Sequence, residues 1–589
     1  MTWQAWFTLL VVAVTVAALV RDRVAPMIAI LGADIVLLVT GVVSTDQAFA
    51  GFSNPAPITV AALFVVAAAV EKTGALQPLI AATLGNGDGG RFRLLRLLAP
   101  TAAASAFLNN TPIVAMLTPQ VTDWASKRGH SASRYLMPIS FAAILGGVVT
   151  LIGTSTNLVV SGLLEQEGLA PIGMFELSRI GLPVAIAGVT IIVLLAPLLL
   201  PERRPARRQF EEEAREYVVH QIVAPGGPMD GQTVESAGLR HLQGVFLVEI
   251  ERAGETIAPA APTTLLRGGD RLAFVGRVDL IRDLQMMRGL ISAEQHHAAW
   301  LEGSEHTFFE VVVSGTSPLV GSTLKESHFR SRYQAAVLAM HRAGERVQAK
   351  LGDVRVRAGD TLLLVADAEF SDRWRHRSDF LLVSHLGGSP PPSTRQAWFV
   401  AIVTFMIVVV AGMGLMPIVH AAIVGAIALV FGRALTPTEA RRAIDMDTVI
   451  VIAASFGIGA ALETSGLAAA LGMGIVDGFR GAGPLVVLVA VTLATMALTE
   501  LITNNAAAVL MFPIAMAASA EIGADPRPFA IALAVAASAS FLTPIGYQTN
   551  TMVYGPGGYR FGDYFRLGLP LTVVVVIIIT VFVPLLWSF

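Results

Sequence analysis

The chain has no cysteine among its 589 residues, and only 14% of them are charged. The first absence excludes disulfides, thiolate chemistry and cysteine-ligated zinc or iron–sulfur centres, and it leaves the redox compartment open. The second sets the chain apart from soluble proteins, in which roughly 25% of residues are charged. Net charge is −2, too near zero to argue for nucleic acid or an acidic partner. No convincing Walker A sequence occurs, which removes an ATPase engine. Gly85-Asn86-Gly87-Asp88-Gly89-Gly90 matches the dinucleotide fingerprint in form, yet no strand precedes it and no βαβ unit surrounds it. Nothing here reads as an enzyme.

What is plentiful is apolar: 54% of residues are hydrophobic and mean hydropathy is +0.65, the composition of a polytopic α-helical membrane protein. Trp3 to Val20 lacks a positive n-region and a cleavage site and reads as a retained helix. Further helices are expected over Val24–Val43, Ile58–Val70, Tyr135–Leu163 and Ile180–Leu200. A second set covers Ala397–Gly412, Met416–Phe431, Thr448–Leu462, Phe529–Val553 and Leu567–Trp587.

Between Arg96–Phe107 and Ile113–Val121 stands Leu108-Asn109-Asn110-Thr111-Pro112, too polar for lipid. Each flank is too short to span alone, since a spanning helix needs roughly 20 apolar residues, so the stretch reads as the tip of a re-entrant hairpin. Thr503-Asn504-Asn505-Ala506 repeats it 395 residues later, inside a hairpin from Pro484 to Ala520. Two helix breaks echo each other as well. Gly153-Thr154-Ser155-Thr156-Asn157 matches Gly546-Tyr547-Gln548-Thr549-Asn550 at an offset of 393. Paired broken segments in corresponding halves point to a transporter's midplane site. Lys and Arg counts in the short loops place both ends of the first hairpin inside and open the second outward, which makes the halves an inverted repeat.

Neither tip carries Lys or Arg, so a small anionic substrate would be met by helix N-termini and by a bound cation. Sodium suits the oxygens of Asn, Thr, Ser and unwound carbonyls. Glu500, one turn before the second tip, is an intramembrane acid that could carry a proton or support the cation, or could be structural. Asp445 and Asp447 read as N-terminal helix charge, and His296 with His297 lacks further metal ligands.

Residues 201–395 drop to strand-length apolar runs and are themselves duplicated at an offset of 90: Gly231-Gln232-Thr233 with Gly321-Ser322-Thr323, and Arg267-Gly268-Gly269-Asp270 with Arg357-Ala358-Gly359-Asp360. Each copy is expected to hold a strand, a short helix, a hairpin turning at Ala-Gly-Glu and a last strand, giving two small α+β modules. Pro390-Pro391-Pro392 reads as the linker back to the membrane. The division is thus 1–200, first transmembrane repeat; 201–300 and 301–395, the two modules; and 396–589, second repeat.

On these motifs the chain resembles the divalent anion:sodium symporter family of the ion-transporter superfamily, specifically its bacterial permeases with two inserted TrkA C-terminal (RCK-C) modules. The resemblance implies an elevator mechanism, a homodimer in the cell (inner) membrane, and a cytoplasmic insert at 201–395 that responds to a small ligand such as a nucleotide. The family's Ser-Asn-Thr tips correspond to Asn109-Asn110-Thr111 and Asn504-Asn505-Ala506. It implies one sodium site from Asn110 with Gly153, Ser155 and Asn157, and another from Asn505 with Gly546, Gln548 and Asn550. Substrate would sit near Asn109, Thr111, Asn504, Thr156 and Thr549. Sulfate is the first expectation and a dicarboxylate the second. The Asn-Asn-Thr-Pro tip also resembles those of arsenite, citrate–metal and sodium/proton transporters, which leaves an antiporter leaning on Glu500 as the alternative. From another class, the insert suggests a ligand-gated ion channel.

Overall fold

The computed structural model describes residues 2–589 except 22–23, 77–89, 129, 203–217, 240–244, 253–254, 258–259, 277–286, 288, 293–305, 316, 343–344, 348–350, 368, 375–376, 378, 386–393 and 480–482. The glycine run 85–89, the arginines within 203–208, the turn residues 253–254 and 343–344, His296, His297 and the proline linker lie outside the described residues. Two compact units emerge: Met1–Arg203 with Pro390–Phe589, and Arg204–Ser389.

The first unit begins with α1 (Trp3–Val20), α2 (Pro26–Val39), α3 (Thr45–Ser53), α4 (Pro55–Thr73), α5 (Gly90–Ser105), α6 (Asn110–Lys127), α7 (Leu136–Gly147), α8 (Ser155–Gln166) and α9 (Ser178–Leu199). The second unit holds β1 (Val218–Val223), β2 (Val245–Arg252), β3 (Glu255–Ile257), β4 (Arg271–Gly276) and β5 (Leu290–Ser292). It continues with β6 (His306–Val313), α10 (Phe329–Tyr333), β7 (Ala335–Arg342), β8 (Glu345–Arg346), β9 (Thr361–Asp367), α11 (Phe370–Trp374) and β10 (Phe380–His385). The chain then resumes the first unit with α12 (Thr394–Gly412), α13 (Ile418–Phe431), α14 (Pro437–Ala443), α15 (Met446–Thr464), α16 (Leu467–Gly478), α17 (Pro484–Thr499), α18 (Asn504–Glu521), α19 (Pro526–Ser538), α20 (Gln548–Tyr554) and α21 (Phe561–Leu586).

Apart from α16, whose counterpart would fall in 77–89 outside the described residues, the second list repeats the order of the first, and local chemistry explains why. α3 opens on a capping box, Ser44 with Gln47; α14 opens on another, Thr436 with Glu439. Asn54 caps α4 and Asp445 caps α15, the latter accepting from Thr448 N at 3.2 Å, so Asp445 is the helix-terminal charge that the sequence suggested. Both spans stop near a left-handed glycine, Gly74 (φ 64°) and Gly466 (φ 76°), a geometry that a β-carbon would strain.

Six helical segments among the described residues are long and apolar enough to cross a membrane, whereas α17 and α19 are too short to do so alone. The halves complete each other: α2 and α3 pack on α15, while α13 and α14 pack on α4. Lys72 pairs with Glu439 at 2.7 Å, and Arg527 Nε donates to Glu176 at 2.9 Å. Each pair joins two segments that the loop-charge count assigns to one face.

Three expectations need correction. The helix from Val24 ends at Val39, and α3 is an additional element, started by its capping box. The breaks lie earlier than expected, at Val148–Thr154 and Ala539–Tyr547. Ser155-Thr156-Asn157 and Gln548-Thr549-Asn550 form first helical turns instead, a place where small polar residues are favoured. Each module of the second unit also carries one strand more than expected, β5 and β10.

The two sheets share one topology, β3-β2-β4-β1-β5 and β8-β7-β9-β6-β10. The offset of 90 carries through to side chains. Arg252 holds Asp270 with two N–H groups at 2.8 and 2.7 Å, and Arg342 holds Asp360 at the same distances. Both aspartates are 1% exposed, and such buried charges persist only when paired.

Candidate functional site

The two tips, Ala106–Asn109 between α5 and α6 and Glu500–Thr503 between α17 and α18, meet the two breaks in one cluster. Contacts run across the halves. Thr111 Oγ1 donates to Gln548 at 3.2 Å, and Asn505 Oδ1 accepts from Ser155 and Thr156, both at 3.2 Å. Thr154 and Tyr547 bring the two breaks together at 3.2 Å between hydroxyls. Asn109, Thr111, Ser155, Asn504 and Asn505 are half-buried and Gln548 is exposed, which marks the open side of the cluster.

The breaks are held open by matched amides. Asn157 Nδ2 donates to the carbonyls of Gly147 (3.2 Å) and Thr150 (2.9 Å); Asn550 Nδ2 does the same for Ser540 (3.1 Å) and Thr543 (3.3 Å). These carbonyls have left the helical ladder, and buried polar groups must find partners. Glycine permits the close approach: a Cβ on Gly153 would lie 2.5 Å from Gly147 O and 2.9 Å from Ser105 O.

Asn110 has no exposed surface. With Nδ2 turned toward Ser105 Oγ (2.6 Å), Ala143 O (3.1 Å) and Gly153 O (3.3 Å), and Oδ1 accepting from Tyr547 OH at 2.6 Å, the amide is satisfied. The Ser105 hydroxyl, the Tyr547 phenol and the carbonyls of Ala143 and Gly153 thus surround that amide.

Glu500, 7% exposed, accepts from Leu542 N at 2.8 Å, Thr543 N at 3.0 Å and Thr543 Oγ1 at 2.8 Å. It ties the second tip to the second break. A Cβ on Gly546 would come within 2.7 Å of its Oε2.

Helix termini supply the positive end. Thr154 before α8, Thr503 before α18 and Tyr547 before α20 make no side-chain cap, unlike Asp445 and Asp525, which cap α15 and α19. First-turn N–H groups of the long helices at the cluster are thus left for another acceptor. No Lys or Arg occurs in residues 105–111, 147–157, 499–505 or 539–550. Among the described residues, no group of three or more His, Asp or Glu could hold a metal ion.

The expected residues therefore gather in one place, with two differences. Asn505 reaches across to Ser155 and Thr156 rather than to the break of its own half. Thr549, expected at the substrate, is fully buried, with its hydroxyl 2.9 Å from Ser140 Oγ of α7. Ser140 also donates to Asn550 Oδ1 at 2.7 Å. Tyr547 went unnoticed in the sequence, although it stands where the first half has Thr154; a phenol within a run of small polar residues was the available signal. It bonds to Asn110 and lies close to Asn504.

Comparison with known proteins gives a consistent result. Residues 9–536 match the citrate transporter family (CitMHS). A Chlamydomonas reinhardtii protein provisionally named a sulfur deprivation response regulator is 37% identical over 95% of this chain and 98% of its own length. An uncharacterized transporter of Synechocystis sp. is 36% identical over 100% of this chain and 98% of its own. Sodium/sulfate cotransporter 1 of Chlamydomonas reinhardtii is 24% identical over 98% of this chain and 89% of its own.

Proposed function

The chain belongs to the citrate transporter family, and from that premise, a multi-pass membrane transporter of an anion and not an enzyme, we propose a sodium-coupled symporter that imports a small divalent oxyanion, sulfate first. The observation that carries this reading is a site without cationic side chains, where neutral oxygens of Ser105, Ala143 and Gly153 surround the Asn110 amide and uncapped helix N-termini face the same cluster. Sodium in the oxygen set of Asn110, Ser105, Ala143 and Gly153 supplies the charge that the side chains lack, so the anion binds well only with sodium present. Asn157 and Ser155 support that site. Asn505, Gly546, Gln548 and Asn550 form the second. The anion lies against the first turns of α6, α8 and α18, near Asn109, Thr111, Asn504 and Thr156.

Relatives named sodium/sulfate cotransporters support sodium and sulfate, and the family's description, citrate transporter, favours a carboxylate as the second reading. The antiporter alternative needs Glu500 as proton carrier, and engagement of that carboxylate by the second break speaks against it. The matched order of helices supports an inverted repeat working as an elevator, in a homodimer of the cell membrane. In this reading the 201–395 insert is a pair of cytoplasmic RCK-C modules biasing the elevator on binding a small ligand such as a nucleotide.

The test is thermal unfolding of the purified protein. Sulfate raises the midpoint in sodium and leaves it unchanged in choline, because a ligand stabilises only the state that binds it. Equal shifts in both salts would remove the coupling; a shift with citrate or succinate and none with sulfate would select the carboxylate reading.

A further inference from the structure

The cluster described above makes no use of Asp34, a buried acid in the middle of α2. It is 1% exposed, and neither carboxylate oxygen has a hydrogen-bond partner. α1, α3 and α15 pack against α2. Where the carboxyl meets α15 it faces bare backbone: a Cβ on Gly457 would lie 1.9 Å from Asp34 Oδ1 and 2.9 Å from the Ala48 carbonyl oxygen of α3. No counter-charge comes from these elements. α1 has no titratable side chain, α3 has only Asp46, and α15 has only Asp447 and Glu463, all acidic; Asp46 and Glu463 are exposed and Asp447 is half-buried.

A carboxylate ion without a partner at membrane depth is strongly disfavoured, whereas the acid form carries no charge. The fold itself does not require an acid. Counting from the helix starts, Ala426 of α13 holds the place of Asp34 and Val66 of α4 holds that of Gly457. One half packs an acid against glycine where the other has alanine and valine. The contact also borders the main site: Ile30, one turn from Asp34, lines an apolar cleft with Thr15, Ile458 and Ala506, the neighbour of Asn505.

We infer that Asp34 is a proton-binding site, loaded while α2 and α15 are packed as here and emptied when that contact opens to water. The Oδ–H bond then breaks, the proton passes to water and the carboxylate is left solvated. Packing in this region is thereby linked to pH. The inference goes beyond sodium-coupled transport and relies on that reading only for its uptake assay.

Asp34→Asn keeps the size and a donor but cannot release a proton. Infrared spectra of the purified full-length protein at neutral pH should contain a protonated-carboxyl C=O band that Asp34→Asn lacks. Gly457→Ala, whose Cβ meets Oδ1, should shift or remove the same band. Without substrate, the wild-type unfolding midpoint should fall from about pH 5 to about pH 8 more steeply than that of Asp34→Asn, because the packed state holds a proton that the unfolded state gives up. Sulfate uptake should vary by up to about tenfold per pH unit in wild type and flatten in Asp34→Asn. A wild-type protein without the band, a band unchanged in both variants, or parallel melting profiles would each overturn the assignment. Failure of sulfate uptake in both proteins would count against the sulfate reading alone, since the other measurements use no substrate.

Discussion

At the residue scale, two neighbouring polar groups do different work. In the proposed sodium site Asn110 would offer its side-chain oxygen, whereas Glu500 fastens a loop by accepting two backbone N–H groups and a hydroxyl. Asn110→Ala should therefore weaken the sodium dependence of uptake. Glu500→Gln should leave sodium dependence in place while lowering stability by ~1–3 kcal/mol, because one backbone donor then faces an amide NH2. Sodium titrations of uptake beside melting curves separate the two, and a lost sodium response in Glu500→Gln would make that carboxylate part of the coupling site. The sequence disclosed the Asn-Asn tips because polar pairs in apolar runs repeat at one offset. It did not disclose Asp34 or Ser140. A lone acid or serine inside a helix carries no periodic signal, and only the packed neighbours reveal what it lacks or holds.

At the element scale, the helices were legible from their apolar runs and the breaks from their Gly and Asn residues, with ends displaced by a few positions. A segment's composition shows that a helix must be interrupted; where it restarts depends on tertiary bonds such as those from Asn157 and Asn550. The loop between α8 and α9 is likewise fixed by contacts distant in sequence. Glu176 accepts from Arg527 and from Trp587 Nε1, and Arg527 also donates to the carbonyls of Ala170 and Pro171. Burial alone would raise the Glu176 carboxyl, but Arg527 and the Gly173 N–H hold it below the usual glutamate value. A carboxyl lowered in the folded state stabilises above its unfolded value and ceases to do so as pH falls through the folded value. Arg527→Ala should then cost ~2 kcal/mol at neutral pH and very little in acid below both values, where wild type has also lost the ion pair. Unfolding curves across that window check the sign; a cost that does not fall in acid would make Arg527 important for its carbonyl bonds instead.

For the whole molecule, each half lacks something that the other provides: α15 receives α2 and α3, and α4 receives α13 and α14. The 204–389 unit, by contrast, closes its own two sheets with its own cores. The duplication at an offset of 90 was plain in the sequence because turn residues kept their register. The extra strands β5 and β10 were not: although Gly289 precedes the one and Gly387-Gly388 follows the other, a run as short as Leu290–Ser292 carries no strand alternation. Deleting 204–389 and rejoining the halves should preserve sodium-driven uptake while altering its regulation. Loss of uptake from a correctly folded deletion would make the insert part of the transport cycle.

The proposed role of sodium is to supply, at one site formed by the two tips and two breaks, the positive charge for a divalent oxyanion. It is tested most directly by uptake of radiolabelled sulfate into proteoliposomes of the purified protein, under an inward sodium gradient against a matched choline gradient. Accumulation above equilibrium is expected with sodium and none with choline. Equal uptake under both gradients, or accumulation driven without sodium, would contradict it.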